Sequence, residues 1–463
     1  MAHGNSFDEE SIKAPGKKWF TLALVLAAIG GGITATGWVM GGEEARAHNM
    51  HSYLTSYMFY LSIALGGLFF TLLQHLVRAG WSVTVRRMAE GYMKNVILML
   101  FLFIPLFLNM DKIWAWADHG DHAKAHVEHK ADDGHAHKDG ETHKSDAHKA
   151  DDLQKAGGHA ESHAGRVDKI EDELLAHHLH KVLDHKKAFL SKNFFSIRIG
   201  IYFLIWIGLA LFMFKNSVAQ DTHGEAKTTV LMGKISAGAM PLFALSLTFA
   251  AFDWMMSLDY AWFSTIFGVV YFASAFIGIM ATLIVTSFVL QKRGYLKGAV
   301  TVEHYHDMGK LMFAFIIFWS YCSFSQFILI RYPNIPEETI WFLHRWSFDG
   351  HNGWKFWSIG LMLVHFALPF LLLMSRHVKR NKVTCTLMAC WMLMASWFHF
   401  YWLIMPTLEF PLKTVPAFGL SDILIAVGLG LVFVGGFVFN LRNVNLIPVK
   451  DPRLKESVNF TNF

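Results

Sequence analysis

Cysteine and charged residues are scarce in this chain, and each shortage excludes a class of protein. Only 3 of the 463 residues are cysteines, which is too few for the four thiolates that an iron–sulfur cluster needs. Cys322, Cys385 and Cys390 lie in apolar runs, and we interpret them as small buried hydrophobic residues. Charged residues make up 17% of the chain against 53% for apolar residues. This balance predicts a multi-pass membrane protein without a nucleic-acid partner.

Ten apolar runs are long enough to cross a bilayer, since a helical span needs about 20 predominantly apolar residues. They cover approximately residues 19–40, 53–77, 95–117, 194–214, 235–256, 262–290, 309–331, 354–375, 384–405 and 421–441. We therefore predict an all-α integral membrane protein with ten transmembrane helices. Its expected parts are a tail with spans 1 to 3 (1–117), a polar insert (118–190), spans 4 to 10 (191–442) and a C-terminal tail (443–463).

Lysine and arginine are concentrated in the loops on one side of the predicted spans. The short loops on the other side hold only Arg46, Arg331, Arg345, Lys355 and Lys413. Because positively charged loops stay in the cytoplasm, we expect both termini to be cytoplasmic and the insert to lie outside. The polar N-terminal tail has no A-x-A-like cleavage site after the first span, so we predict no cleaved signal peptide.

The insert is a low-complexity segment that holds more than half of the chain's 26 histidines. His119, His122, His126 and His129 are spaced to share one helical face, where imidazoles bind zinc, copper or nickel. Its many charges and few apolar residues favour a soluble, loosely ordered extension instead. We therefore assign no metal site and keep these four histidines as weak candidates.

The sequence AFDWMMSLDYAWFST at 251–265 separates two long apolar runs and places two carboxylates beside aromatic residues. A carboxylate at the centre of a span costs about 2.5 to 3.5 kcal/mol on insertion scales, so it normally faces a partner or a polar path. Asp253 is the first functional candidate, and a single local salt bridge is the alternative. Asp259 is also a candidate, and the alternative, which the sequence favours, is that it caps or turns the chain between two helices.

Further protonatable residues occur in the second half of the chain. Such residues in several spans form a proton relay if they converge. The candidates on or beside the later spans are His365, His399, Glu409 and Asp422, and those at the expected cytoplasmic end of span 7 are His304 and Asp307. For Asp307, a helix cap is the alternative.

The sequence FDWMMSLDYAWFSTIFGVVYF, in a ten-span chain with both termini inside, resembles the second large membrane subunit of bacterial alternative complex III. This quinol:electron-acceptor oxidoreductase subunit is similar to the NrfD-like membrane anchors of polysulfide and nitrite reductases. The similarity covers spans 1 to 10 and leaves out the insert. Its specific part is the motif at 252–265, and the rest is topology.

This resemblance implies two four-helix bundles, spans 2 to 5 and 6 to 9, flanked by spans 1 and 10. It also implies a bacterial inner-membrane complex with a sister NrfD-like subunit, an iron–sulfur subunit and haem c subunits. This chain alone would bind no cofactor. The implied role is a proton path through Asp253, and less securely through Asp259, His365, His399, Glu409 and Asp422, with a quinol or menaquinol site as a second role.

Three other classes of protein remain as alternatives. A cytochrome b needs paired haem-ligating histidines, whereas His75, His365 and His399 lie one to a span. A metal transporter would explain the histidine-rich insert, but the spans contain no H-x3-D pattern. A purely structural anchor, in which buried polar groups only hold helices together, is the main alternative.

Overall fold

The computed structural model describes residues 8, 10–43, 45–117, 181–346, 354–409 and 418–461. Over these ranges the regular secondary structure is helical and contains no strand. The chain divides into two compact units, Met1–Ile113 with Ile197–Phe463, and Trp114–Ser196. The sites discussed below belong to the first unit. The four histidine candidates of the insert, His119, His122, His126 and His129, lie outside the described residues.

Within the described ranges, ten helices are long and apolar enough to cross a membrane, as the hydropathy pattern predicts. They are spans 1 to 10 in chain order: Gly16–Val39, Arg46–Leu76, Val83–Leu108, Lys192–His223, Ala226–Trp254, Phe267–Lys292, Val302–Arg331, Trp354–Met374, Lys382–Leu408 and Leu420–Leu441. The chain is therefore an all-α multi-pass membrane protein. A short helix, Pro336–Trp346, connects spans 7 and 8 and is called the connecting helix below.

Span 3 differs most from the predicted boundaries. The sequence suggests a start near residue 95 after a basic loop, whereas the helix begins at Val83 and buries both Arg86 and Arg87. Burial is feasible because Arg87 pairs with Asp221 at 3.0 Å and with Glu90 at 3.0 Å. Hydropathy counts these arginines as loop residues because it does not register the carboxylates that neutralise them.

Spans 2 to 5 form the first four-helix bundle. Span 2 packs against spans 3 and 5. An Arg87–Asp221 ion pair joins spans 3 and 4, and Trp206 in span 4 donates its indole N–H to Ser246 in span 5 at 2.9 Å. These contacts close the bundle.

Spans 6 to 9 form the second four-helix bundle. Span 6 packs against spans 7 and 9, and span 8 fills the remaining side between them. Spans 2 and 6 contact each other and join the two bundles, while spans 1 and 10 pack together as a flanking pair. This is the arrangement that the resemblance implies.

Glycine allows the closest helix contacts. A methyl group at Gly30 in span 1 would lie 2.5 Å from the carbonyl oxygen of Gly428 in span 10, and one at Gly66 in span 2 would lie 2.3 Å from that of Ala275 in span 6. Neither position has room for a side chain. Gly30 and Gly37 of span 1 therefore serve packing within this chain, against span 10.

The segments before span 1 and after span 10 lie on the same face, which we call the terminal face. Leu446 donates its backbone N–H to Ile12 at 2.8 Å, and Leu296, in the loop between spans 6 and 7, donates to Ser11 at 3.0 Å. The opposite face carries the connecting helix. Arg345 of that helix donates to the backbone carbonyls of Trp402 and Leu403 in span 9, which fixes the connecting helix on the second bundle.

Candidate functional site

Asp253 lies in the last turn of span 5 and is fully buried. Arg198 of span 4 binds it with two nitrogens, Nε to Oδ2 at 2.7 Å and Nη2 to Oδ1 at 2.9 Å, and the Tyr202 hydroxyl donates to Oδ2 at 2.7 Å. A bidentate guanidinium and a hydroxyl neutralise the carboxylate and satisfy most of its lone pairs. The geometry matches the local salt-bridge interpretation of Asp253.

Asp259 lies beyond the first bundle, at the end of the short 3₁₀ helix Met256–Asp259, and is half-buried. Burial raises the pKa of neighbouring Tyr260, and the Asp259 carboxylate raises it further. Tyr260 therefore keeps its proton at neutral pH. Asp259 belongs to the turn between the bundles, in agreement with the turn interpretation.

His365 and His399 come together in the interior of the second bundle. Their ring centroids are 5.6 Å apart, and Trp319 of span 7 contacts both, at 3.9 Å from His365 and 5.0 Å from His399. His365 is fully buried, and neither ring nitrogen has a hydrogen-bond partner in the described part of the chain. It lies in a π-helical turn, Met362–Ala367, and such turns occur frequently at functional sites.

The Ser274 hydroxyl is the hydrogen-bond partner of the His399 ring. The Ser274 hydroxyl lies 3.1 Å from the Val270 carbonyl and 3.2 Å from His399 Nδ1, and in the arrangement in which it donates its one hydrogen to the carbonyl, its oxygen accepts from Nδ1. In that arrangement the neutral ring carries its hydrogen on Nδ1, and Nε2 keeps its lone pair. His399 is thus set up to accept a proton at Nε2.

A cavity of about 650 Å³ lies beside His399, between spans 6 to 9 and the connecting helix. Most of its wall is aromatic or aliphatic, with contributions from Trp341, Trp402, Phe267 and Phe327. Its volume falls within the roughly 300 to 1,000 Å³ of small-molecule sites, which are mostly apolar with a few placed polar groups. The cavity can therefore hold a compact apolar ring.

Three polar groups in the cavity wall have no hydrogen-bond partner in the described part of the chain. Trp319 Nε1, Gln326 Nε2 and Ser323 Oγ all line the cavity and lack a hydrogen-bond partner within the described ranges. Trp319 is 5% and Gln326 is 7% exposed. An unpaired buried donor costs about 1 to 3 kcal/mol, so a ligand with acceptor oxygens would stabilise this wall.

A larger groove, of about 990 Å³, runs between the flanking pair and spans 2, 6 and 9, and the hydroxyl groups that it takes from spans 2, 3 and 6 are already paired. Tyr60 donates to the Ala426 carbonyl at 2.8 Å. Tyr92 and Thr286 share a hydrogen bond of 2.8 Å. By volume alone, this groove is the better candidate for a ligand site. The unpaired polar groups favour the cavity beside His399 instead.

The remaining candidates lie apart from the His365–His399 pair. Asp422 is fully buried at the start of span 10, where it accepts from the Gly419 N–H at 2.8 Å and contacts His48 Nε2 at 3.0 Å. His304 caps span 7, because its Nδ1 accepts from the Thr301 N–H at 3.1 Å. Asp307 pairs with Lys310 at 2.5 Å. The side chain of Glu409 lies outside what the structure describes.

No group of three or more His, Cys, Asp or Glu residues in the described ranges could hold a metal ion. The weak metal candidates of the insert lie outside those ranges, so their role stays a prediction. Among the predicted site residues whose side chains the structure describes, it brings His365 and His399 together from two different spans.

The sequence analysis did not single out Arg198, His48, Trp319, Ser323 or Gln326. The last three recur at positions i, i+4 and i+7 of span 7, which share one helical face. This periodicity was the available signal. For Arg198 and His48, the partner carboxylates lie 55 and 374 residues away along the chain, and spacing carries no signal at such separations.

Comparisons with known proteins add no family assignment. A scan against models of protein families finds no match to this chain, and a search of curated proteins finds none either. The likeness to the alternative complex III subunit therefore depends on the motif at 252–265 and on the two-bundle architecture.

Proposed function

We propose that this chain is a membrane subunit of a quinol-oxidising respiratory complex of the alternative complex III kind, and that its second bundle binds a quinone head group. The observation that carries the quinone site is the cavity whose unpaired donors, on Trp319 and Gln326, lie with His399 in one wall. Membership of the complex, and the iron–sulfur and haem c partners, are supported by the motif at 252–265 and by the ten-span fold.

The donors suit a quinone because both of its oxygens accept hydrogen bonds. Trp319 and Gln326 hold one or both oxygens, and the aromatic wall packs against the ring. Arg345 also lines the cavity, but its guanidinium donates to the carbonyls of Trp341 and Leu403, so it does not call for an anionic ligand. The site therefore favours a neutral carbonyl compound over a carboxylate or phosphate.

Oxidation of the quinol releases two electrons and two protons. The electrons pass to an acceptor on a partner subunit, and His399 Nε2 takes one proton from a quinol hydroxyl as the electrons leave. His365, with its centroid 5.6 Å from that of His399, is the next acceptor. The second proton leaves by the open side of the cavity. His399 and His365 thus form the first part of the proton path in this proposal.

The buried residues of span 7 favour proton release toward the face that carries the connecting helix, away from the terminal face. Between Asp307 and Trp319, about 18 Å along the helix at 1.5 Å per residue, the buried positions of this span are Met308, Gly309, Met312 and Ile316. A proton moving to the terminal face would need water in this apolar stretch. We propose that the terminal face is cytoplasmic and that this membrane is the bacterial inner membrane.

A structural anchor is the second candidate function. It is favoured by buried carboxylates whose partners all lie within this chain. Asp253 is satisfied by Arg198 and Tyr202, and Asp422 by His48 and the Gly419 N–H. These carboxylates hold helices together without requiring a path. We therefore assign Asp253 and Asp422 to structure, and the chemistry to the second bundle.

Quinone binding to the purified chain tests this function, since four tryptophans line the cavity and quinones quench indole fluorescence. Decylubiquinone and menadione should quench with saturation. Gln326→Leu removes one donor at nearly constant volume and should weaken binding about tenfold, the equivalent of about 1.4 kcal/mol.

Thr286→Val is the matched control, because it removes a hydroxyl from the larger groove instead. It should change the affinity less than about twofold. Quenching that does not saturate, or an unchanged affinity in Gln326→Leu, would refute the quinone site.

A further inference from the structure

A pocket of about 330 Å³ opens at the terminal face of the first bundle, away from the cavity beside His399. It lies between the end of span 2, the start of span 5 and the segment after span 10. Gly233 keeps spans 2 and 5 close, because a methyl group there would lie 3.2 Å from the His75 carbonyl oxygen. The proposed quinone chemistry makes no use of this pocket.

Cations dominate the rim of this pocket. Arg78, Lys234 and Arg453 line it, and none has an ion-pair partner within the described part of the chain. Asp451 is the single carboxylate in the wall, and Arg86 already binds it at 2.5 Å. Among the described residues no other carboxylate lines the pocket, which is therefore positively charged through Arg78, Lys234 and Arg453.

Two polar groups in the pocket wall are buried without a partner. Gln74 and His75 are each 4% exposed, and Gln74 Oε1 and His75 Nε2 lack a hydrogen bond among the described residues. With its hydrogen on Nε2, His75 donates to an anionic oxygen, and Gln74 Oε1 accepts from a hydroxyl. Arg78 has a left-handed backbone, φ 52°, which ends span 2 beside the pocket.

Behind the pocket, the buried charges already balance one another. Glu90 contacts Arg86 at 3.4 Å and Arg87 at 3.0 Å, and Asp221 contacts Arg87 at 3.0 Å. These carboxylates are occupied by the two buried arginines. They leave Arg78, Lys234 and Arg453 at the rim free to bind an external anion.

We propose that this pocket binds a phosphate group, in which Lys234, Arg453 and Arg78 neutralise the charge and His75 donates one hydrogen bond. Basic pockets between membrane helices suit phosphorylated head groups. Leu76 and Val230 line the same pocket and are 39% and 51% exposed, which provides an apolar surface for an acyl chain. The phosphate belongs either to an anionic lipid or to a soluble phosphate, and the test separates these sources.

The test is thermal unfolding of the full chain, stripped of lipid in a neutral detergent and titrated with separate probes. These are dioctanoyl phosphatidylglycerol, inorganic phosphate and zwitterionic dioctanoyl phosphatidylcholine. A bound ligand raises the unfolding temperature with saturation. Protection by phosphatidylglycerol alone assigns the site to lipid, and protection by inorganic phosphate assigns it to a soluble phosphate.

The double variant Lys234→Gln, Arg453→Gln should weaken the apparent affinity at least tenfold. The matched control Arg293→Gln, Lys297→Gln removes two exposed cations from the same face outside the pocket, and should change it less than twofold. Arg78→Asn, which tolerates a left-handed backbone, serves if the double variant does not fold. Protection by neither anion, equal protection by phosphatidylcholine, or equal losses in variant and control would overturn the proposal.

Discussion

An Arg198→Met variant is expected to be destabilised by about 3 to 5 kcal/mol, because it leaves the Asp253 carboxylate buried without its cation. Tyr202 supplies one remaining hydrogen bond, which does not balance a full charge. The expected signs are a large drop in the apparent unfolding temperature in detergent and reduced accumulation in membranes. Both are measured on the purified chain and on membrane fractions.

The double variant Arg198→Met, Asp253→Leu is the control for this prediction. Replacing a buried ion pair with apolar residues of similar size is often neutral or stabilising, so the double variant should recover most of the lost stability. Where it assembles, it should also retain quinol oxidation. Equal destabilisation of the single and double variants would show that the pair contributes through something other than charge compensation.

A His399→Phe variant is expected to lower quinol oxidation by the assembled complex about 10²- to 10⁴-fold, since this range is typical for a positioned general base. The phenyl ring keeps the contact with Trp319 and removes the lone pair on Nε2. Ser274→Ala should have a smaller effect, because it removes only the acceptor that directs the Nδ1 hydrogen. Turnover is measured in membranes with the amount of complex held equal.

His306→Phe is the matched control for this second prediction. His306 is also a buried histidine, with an unpartnered Nδ1, but it lies near the terminal-face end of span 7 and outside the cavity wall. Its replacement should leave quinol turnover within about twofold. A His399→Phe complex that assembles and turns over normally would remove His399 from the proposed chemistry.

The sequence was sufficient to predict the ten spans, since hydropathy is a local property and each helix must satisfy its backbone within itself. The start of span 3 was predicted too far along the chain, because hydropathy places Arg86 and Arg87 in a loop whereas both are buried in ion pairs. The cost of a carboxylate in a span predicted that Asp253 has a partner. The identity of that partner, Arg198, follows only from the packing of span 4 on span 5.

The cavity beside His399 was less accessible to sequence reasoning than the spans. His365 and His399 were candidates, but their convergence depends on the packing of spans 8 and 9 around Trp319. Gln326 carries no charge, so no desolvation argument drew attention to it. Its importance comes from an unpaired nitrogen beside an open cavity, and that property belongs to the folded chain.

Photolabelling with an azido-quinone tests the central claim most directly. The purified chain, or the complex that contains it, is labelled with and without excess decylubiquinone, and the modified peptides are identified by mass spectrometry. We predict protectable labelling in spans 7 and 9, Val302–Arg331 and Lys382–Leu408, lost in Gln326→Leu. Protectable labelling around Asp253 in span 5 instead would contradict the assignment of the quinone site to the second bundle.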